Sequence, residues 1–288
     1  MPIRLAVVVA VALLVPGCLR HALPARRTVE ATSPPRAGAA SALPRTIRVA
    51  TFNVHGKPAR ELASVLHYDP VLARADVIFL QEVKRIERPG TPPCSSACGI
   101  GKLLGYHAVY APAQAMKEGS QGIAILSRAP ILSTEVIELP YFDVVFNTAQ
   151  RIALAATIDV AGTPVTFYSV HLENRITVGD RRRHILPVLE HAQSQRTPVI
   201  IAGDVNTTPF TWLWHVIPIP TNTQDERLEE LVREHGFATP VIHSGPTHEA
   251  LHMRLDAIYT RGLATKRFAV SQAYNVSDHW ALWADLAL

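Results

Sequence analysis

The chain has 288 residues, of which 48% are hydrophobic and 18% are charged. This balance is typical of a globular protein and excludes an intrinsically disordered chain, and the length allows one large domain or two small ones. The formal charge of +4 at pH 7 is compatible with a phosphate-bearing partner, but it is too small to distinguish such a partner from an ordinary solvated surface.

The first predicted element is an N-terminal leader over residues 1–18. Arg4 supplies a positive end, and the uncharged apolar stretch LAVVVAVALLV follows it. This is typical of a secretory signal, because the stretch is shorter than the roughly 20 apolar residues of a transmembrane helix. The stretch ends in Pro16, Gly17 and Cys18, which resembles a bacterial lipoprotein signal with Cys18 lipidated, although Pro16 departs from the usual residue there. We therefore expect an exported bacterial protein, periplasmic or membrane-tethered. Cleavage elsewhere and an uncleaved anchor are the alternatives.

Residues 19–44 are rich in Ala, Pro and Arg and show no apolar period. They are expected to form a tether between the membrane and a single folded domain over residues 45–288. Two further cysteines, Cys94 and Cys98, lie in the Pro- and Ser-rich segment TPPCSSACG. Export makes a local disulfide plausible, and no neighbouring His or further Cys completes a metal site. Two free thiols are the alternative.

From Arg45 onward, short apolar runs are mixed with stretches of helical periodicity. The predicted strands are TIRVATFNV, ADVIFLQEV, QGIAILSRAP, RIALAATIDV, TPVTFYSVHLEN, TPVIIAGDVN and RLDAIYT. The predicted helices are PARELASVLHY, DRRRHILPVLEHAQS and QDERLEELVREHG; Pro187 interrupts the second, and Arg181–Arg183 are expected on its exposed face. This mixture indicates an α/β or α+β domain, and the near-continuous apolar runs favour strands covered on both faces.

Polar side chains recur where the predicted strands end. They are Asn53, Glu82, His171, Asp204, Asn206, Asp278 and His279, and Asp256 stands inside a strand-like run. Ligand sites of α/β folds gather at the carboxyl ends of strands, and a buried carboxylate without a partner is costly. Amide and carboxylate oxygens with two histidines, and no nucleophilic Ser or Cys beside a base, favour a hard cation with acid–base histidines.

At this point the sequence resembles the endonuclease/exonuclease/phosphatase superfamily, the group that contains deoxyribonuclease I. The motifs TFNV, QEV, GIAILSR, SVHL, GDVN, RLDAIY and SDHW occur in that family's order over about residues 45–288. Each motif is weak alone, but seven in order are specific. The resemblance implies a four-layered α/β (α+β) sandwich, in which two packed, mixed β-sheets are flanked by helices. It also implies cleavage of phosphate esters with a divalent metal.

The resemblance assigns the metal ligands to four side chains. Glu82 would be the principal carboxylate with Asn53 beside it, Asp204 would activate water or bind a second metal, and Asp278 would lie near the metals. We expect Mg²⁺, with Mn²⁺ or Ca²⁺ as alternatives, and either one or two ions.

The catalytic roles implied by the resemblance fall to the remaining motif residues. Asn206 would orient the phosphate, and His279 would be the general base or a transition-state contact. Asp256 would pair with a histidine, with His279 favoured and His171 the alternative. His171 would hydrogen-bond a phosphate oxygen or assist the leaving group.

A few side chains have two readings from sequence alone. Arg151 binds substrate phosphate or forms a salt bridge at a strand edge. Lys84 and Arg85 form a solvated basic loop or touch substrate. Trp212 and Trp214 are expected in the core, although they could stack on a base or enter lipid.

The motifs report the reaction and leave the substrate open. We expect a monomeric, exported phosphodiesterase acting on a phosphate ester, with nucleic acid slightly favoured over a phospholipid headgroup and with membrane attachment through the N-terminal lipid. No long exposed aromatic hairpin is evident for a sphingomyelinase- or phospholipase C-like enzyme. A sugar or inositol phosphatase and a non-catalytic binding protein of the same fold are further alternatives.

Overall fold

The computed structural model describes residues 28–34, 42–144, 149–221, 224–272 and 276–288. The predicted leader, with Cys18, and most of the predicted tether lie outside these ranges. Within them, no helix has both the length and the apolar character needed to cross a membrane.

The described residues form fifteen strands and four α-helices. The strands are β1 (Glu30–Thr32), β2 (Thr46–Asn53), β3 (Val77–Ile86), β4 (Cys94–Ser95), β5 (His107–Met116), β6 (Gly119–Ser127), β7 (Ile131–Glu138), β8 (Ile152–Val160), β9 (Thr163–His171), β10 (Val199–Asp204), β11 (Phe210–Leu213), β12 (Ile217–Pro220), β13 (Asp256–Arg261), β14 (Ala264–Ser271) and β15 (Ala281–Ala287). The helices are α1 (Ala59–Tyr68), α2 (Ser96–Leu104), α3 (Val178–Ser194) and α4 (Gln224–Glu234).

Two mixed sheets form the centre of the molecule. The first has the strand order β1-β5-β6-β3-β2-β15-β14, with β4 paired to β3, and the second has the order β13-β10-β9-β8-β7. Strands β2 and β3 are parallel, as are β9 and β10, whereas the other pairs are antiparallel. Strands β11 and β12 form a separate two-stranded hairpin.

The buried side chains form three apolar layers that separate four layers of structure. One cluster joins both sheets, and Ile47 and Ile200 belong to it. A second lies between the first sheet and helices α1 and α2, and a third lies between the second sheet and helices α3 and α4. Neighbouring residues of one strand face different layers: Ile200 faces the other sheet, and Ile201 faces the helices. Both faces of the strands are thus buried, and the predicted four-layered sandwich is confirmed.

The segment predicted to be a tether contributes to the fold. Strand β1 extends the first sheet by pairing with β5, and Glu30 accepts hydrogen bonds from the backbone and hydroxyl of Ser95. Leu43 is 3% exposed and belongs to the layer between the sheets. A three-residue strand is too short to show a period in the sequence, so pairing with an open sheet edge has no local signal. A disulfide joins Cys94 to Cys98 close to this contact.

Candidate active site

Four strands bring the predicted site residues to one end of the sandwich. Asn53 ends β2 and lies opposite Gln81 of its parallel neighbour β3, the residue just before Glu82. His171 and Asp204 end the parallel pair β9 and β10 and lie opposite each other. The two sheets meet here, because Asn53 Nδ2 donates to Asp204 Oδ2 at 3.0 Å. We call this the active-site end.

Local backbone geometry aims two of these side chains. Glu82 lies in a break of register between β3 and β6 and has a left-handed φ of 56°, which is typical of a residue turned by a β-bulge. Asn206 has a φ of 50°, a conformation that Asn tolerates better than most residues. Just before it, a Cβ on Gly203 would stand 1.9 Å from the Val170 carbonyl oxygen. Only glycine lets β10 approach β9 this closely, and this explains the Gly in IAGDVN.

The amide of Asn53 connects two carboxylates. Its Nδ2 donates to Glu82 Oε1 at 3.1 Å as well as to Asp204, and its Oδ1 accepts the backbone N–H of His55 at 3.1 Å. Gln121 Nε2 donates to the other Glu82 oxygen at 3.3 Å. Asn53 and Asp204 are buried, so these oxygens converge in a space with little access to water.

A buried carboxylate fixes the orientation of His279. Asp256 Oδ2 lies 2.9 Å from His279 Nδ1, and the other ring nitrogen lies 3.7 Å from Asp204 Oδ2. Burial alone would lower the pKa of His279, but the carboxylates of Asp256 and Asp204 outweigh it and raise the pKa to about 10. Burial raises the pKa of Asp204, because its charged form is poorly solvated. The structure thus pairs Asp256 with His279, while the partner of His171 Nδ1 is Arg151.

His171 belongs to a second buried network. The Arg151 guanidinium lies 3.0 Å from its Nδ1, and Nε2 faces Asp204 Oδ2 at 3.6 Å. Burial, reinforced by the positive charge of Arg151, holds the pKa of His171 well below its ordinary value. Arg151 is in turn paired with the buried Glu173 at 3.3 Å, so the structure shows the salt-bridge reading of Arg151. The same Arg151 nitrogen lies 3.2 Å from Nε2, so the shorter contact assigns the acceptor to Nδ1 and the N–H of the neutral imidazole to Nε2.

Helix α3 supports the loops beneath the site with two residues that the sequence analysis missed. Arg181 is fully buried, not on an exposed face as predicted, and donates to the carbonyl oxygens of Val205 and Asn174. His184 is also fully buried, and its Nδ1 accepts the backbone N–H of Glu173. A basic run at a helix start is usually exposed, so the sequence held no signal for Arg181. The sequence did hold a signal for Glu173, because residues two apart in an extended chain point the same way and Glu173 stands two residues after His171.

The outer part of the site contains Asp278. Its Oδ1 lies 2.9 Å from His55 Nδ1, and its Oδ2 lies 3.7 Å from His248 Nε2. The neighbouring imidazoles of His248 and His55 hold the pKa of Asp278 below its ordinary value. Asn206, by contrast, lies on the inner side, where its Nδ2 donates to the Leu172 carbonyl at 2.9 Å.

The arrangement has two groups of side chains that fit a cation. Glu82 and Asp204 converge on one Asn53 nitrogen, and carboxylate and amide oxygens are the ligands that Mg²⁺ and Ca²⁺ prefer. His248, Asp278 and His279 offer ligand atoms within 4.8 Å of one another. The Glu82 and Asp204 carboxylates therefore fit a divalent cation, and their oxygens also suit Mn²⁺. The outer group would fit one only with a neutral His279.

Two predictions about neighbouring segments are wrong. Lys84 and Arg85 belong to strand β3 and not to a loop, because the strand continues past the bulge at Glu82. Trp214 is 72% exposed at the turn of the β11–β12 hairpin, and Trp212 is only partly buried under the Arg175 guanidinium. The apolar spacing of this segment comes from a hairpin that contributes no residue to the three core clusters.

The fold and the site define a phosphoesterase of one family. A model of the endonuclease/exonuclease/phosphatase family matches residues 50–279, so the chain belongs to this family, and the predicted resemblance is confirmed. Hydrolases of the family act on phosphoester bonds. A comparison with curated protein sequences gives no match.

Solved structures share the fold at low sequence identity. An endonuclease/exonuclease/phosphatase from Beutenbergia cavernae DSM 12333 is 22% identical, with a TM-score of 0.67 over 85% of this chain and 72% of that one. A family protein from Leptotrichia buccalis C-1013-b is 19% identical, with a TM-score of 0.66 over 84% of this chain and 100% of that one. TDP2 from D. rerio, complexed with a single-strand DNA product, is 18% identical, with a TM-score of 0.61 over 84% of this chain and 99% of that one.

Proposed function

We propose that the chain is an exported, divalent-metal-dependent phosphodiesterase whose favoured substrate is nucleic acid. The observation that carries this proposal is the position of the Asp256–His279 pair. Its free ring nitrogen faces Asp204, and Asp204 shares the Asn53 amide with Glu82. A proton donor, a proton acceptor and a cation-binding group thus stand around one space, as attack of water on a phosphate ester requires.

The cation would be held by the Glu82 carboxylate with Asn53 beside it, and Asp278 would be available to a second ion. A bound Mg²⁺ supplies electrostatic stabilisation of the charge that develops on the phosphate oxygens, and Mn²⁺ or Ca²⁺ are alternatives for the same oxygen ligands.

The side chains themselves divide the remaining work. His279 carries a positive charge at neutral pH and donates from Nε2 to a phosphate oxygen, while Asp256 keeps Nδ1–H in place. Asp204, whose pKa is raised by burial, accepts a proton from the attacking water. Asn206 orients the phosphate. Neutral His171 donates a hydrogen bond from Nε2 to the leaving oxygen as the ester P–O bond breaks, and that oxygen then takes its proton from water. The Arg151 guanidinium is paired with Glu173, so it would donate to a substrate phosphate only after leaving that carboxylate.

Basic side chains beside the site favour a nucleic acid. Lys57 and Lys84 line a depression of about 380 Å³ together with His55 and Asp278. The adjoining depression, of about 220 Å³, contains Lys84 and Lys117. Ammonium groups along a groove neutralise the phosphates of a polynucleotide backbone, and the structural relative from D. rerio was solved with a DNA product. A lipid-headgroup phosphodiesterase is the second candidate, and the exposed β11–β12 hairpin favours it.

The test is hydrolysis by the purified full chain with Mg²⁺ or with EDTA. Plasmid DNA, single-stranded DNA, RNA, sphingomyelin and phosphatidylcholine form the substrate panel, and Glu82→Gln is compared with Glu61→Gln on the exposed face of α1. We expect cleavage of nucleic acid that EDTA and Glu82→Gln abolish and Glu61→Gln leaves unchanged. Equal cleavage in EDTA would contradict metal dependence, and cleavage of lipid alone would replace the nuclease with the second candidate.

A further inference from the structure

The large apolar side chains exposed to solvent are concentrated at one end of the molecule. Eleven such side chains are exposed in the described part of the chain, by 40% to 72%. Eight of them lie at the active-site end, and only Tyr68, Leu103 and Leu132 lie elsewhere. Exposed apolar residues are ordinarily scattered singly, whereas a concentration of them marks a binding surface.

Four of the eight lie on the β11–β12 hairpin: Leu213, Trp214, Ile217 and Ile219. The hairpin pairs with neither main sheet, but it is fixed from below. His215 Nδ1 lies 2.9 Å from the carbonyl oxygen of Arg175, four residues after the end of β9, and the Arg175 guanidinium lies over Trp212. The base of the hairpin is therefore fixed beside the site, and its apolar side chains are exposed to solvent.

The other four lie around the same end of the sandwich. Ile86 ends β3 and Met116 ends β5, and Gly119 pairs with both. Tyr141 follows the end of β7, which runs in the direction of β9. Leu251 precedes β13, whose first residue lies opposite Asp204. The apolar residues thus come from several loops and strand ends around the site and not from one segment.

The chemistry of these exposed residues favours lipid over nucleic acid as the partner of this surface. Six of the eight are aliphatic and have no ring on which a base could stack. Aliphatic side chains with a Trp and a Tyr are what enters the boundary between headgroups and acyl chains. Lys84, Arg85 and Lys117 line one depression with Ile86, Met116 and a single carboxylate, Glu118. This basic excess matches the negative surface of an anionic bilayer.

Strand β1 enters the first sheet from this same end. It is antiparallel to β5, with Thr32 opposite Ala108 and Glu30 opposite Tyr110. Thr28 and Val29, just before it, therefore lie toward the Met116 end of β5. The sequence upstream carries the apolar leader and Cys18, so an anchor there would draw the active-site end toward the membrane.

We propose that the active-site end docks on an anionic lipid bilayer, with Trp214 and its hairpin neighbours inserted at the headgroup boundary. This docking goes beyond hydrolysis and does not require it.

The test uses the full chain on vesicles of equal parts phosphatidylcholine and phosphatidylglycerol with brominated acyl chains, which quench a tryptophan only on contact. Wild type is compared with Trp214→Phe, which removes the reporter, and with Leu213→Ser/Ile217→Ser, which retains it on a less apolar hairpin. Leu132→Ser, at the opposite end, is the matched control. We expect strong quenching in wild type and Leu132→Ser, and loss of most of it in the other two variants.

Three outcomes would overturn the proposal. Equal quenching in wild type and Trp214→Phe would show that the anchor alone meets the bilayer. Equal quenching in Leu213→Ser/Ile217→Ser and wild type would show that the apolar side chains are not needed. Quenching of Trp214 by a single-stranded oligonucleotide, without quenching by brominated lipid, would assign the surface to nucleic acid. Glu82→Gln separates the two proposals, because it is expected to lose hydrolysis and keep the lipid quenching.

Discussion

The substitution Asp256→Asn tests the arrangement of the site most directly. The side chain is fully buried, its Oδ2 holds His279 Nδ1 at 2.9 Å, and its Oδ1 has no partner among the described residues. Asparagine keeps the size of the side chain and removes the charge. The change therefore separates the electrostatic role of Asp256 from its packing.

The magnitude follows from the distance. Two unit charges about 4 Å apart interact by about 4 kcal/mol at an effective dielectric constant of about 20. This energy corresponds to a decrease of about 3 in the pKa of His279, which starts at about 10 in the metal-free protein. About half of the imidazole would then be neutral at pH 7, and the asparagine would no longer fix its tautomer. We expect kcat/KM to fall by about 10² to 10⁴.

The assay is the initial rate with Mg²⁺ on a substrate that the wild type cleaves, accompanied by an NMR titration of the ring of His279 in EDTA. Asp159→Asn is the matched control, because Asp159 lies near the end of β8 at the opposite end of the sandwich, where its Oδ1 accepts the backbone N–H of Gly162. Thermal unfolding of both variants establishes that they are folded. A wild-type rate in folded Asp256→Asn, or an unchanged pKa of His279, would refute the assignment.

Two further predictions concern stability and covalent structure. Burial, with Arg151 and Arg181 acting in the same direction, lowers the pKa of His184 to about 3. The unfolded imidazole binds a proton below about pH 6.5, whereas the folded one stays neutral. Between pH 7 and pH 5 the wild type should therefore lose about 2 kcal/mol more free energy of unfolding than His184→Gln. Denaturant titrations of both proteins at the two pH values measure this difference, and equal losses would contradict it. We also expect the intact mass, measured by mass spectrometry, to rise by two hydrogen atoms when the Cys94–Cys98 disulfide is reduced. An unchanged mass would indicate free thiols.

The sequence was most informative where chemistry and strand ends coincide. A polar residue after a buried strand conflicts with the pattern around it, so Glu82 and Asp204 stood out before any geometry was known. The covering of both strand faces was also visible, because runs such as VIIAG have no polar alternate position. These features are local, and the fold only had to bring the strand ends together.

What escaped prediction depends on contacts that no local pattern encodes. Arg181 looks like a solvated charge, and only its hydrogen bonds to the carbonyl groups of Asn174 and Val205 explain its burial. Trp214 looks like a core residue, because apolar spacing is the same in a buried strand and in an exposed hairpin. The β1 strand depends on an open edge supplied by β5, about 80 residues away.

The left-handed backbone of Glu82 has a consequence for how this protein can change. A side chain with that φ costs on the order of 1 kcal/mol or more, and glycine would remove the cost. Replacing Glu82 with glycine would therefore increase the free energy of unfolding while removing the principal carboxylate of the site. Drift toward stability and selection for hydrolysis act in opposite directions at this position. In a homologue no longer selected for hydrolysis, Glu82 would be among the first site residues to be replaced, and the fold would remain after the activity was lost.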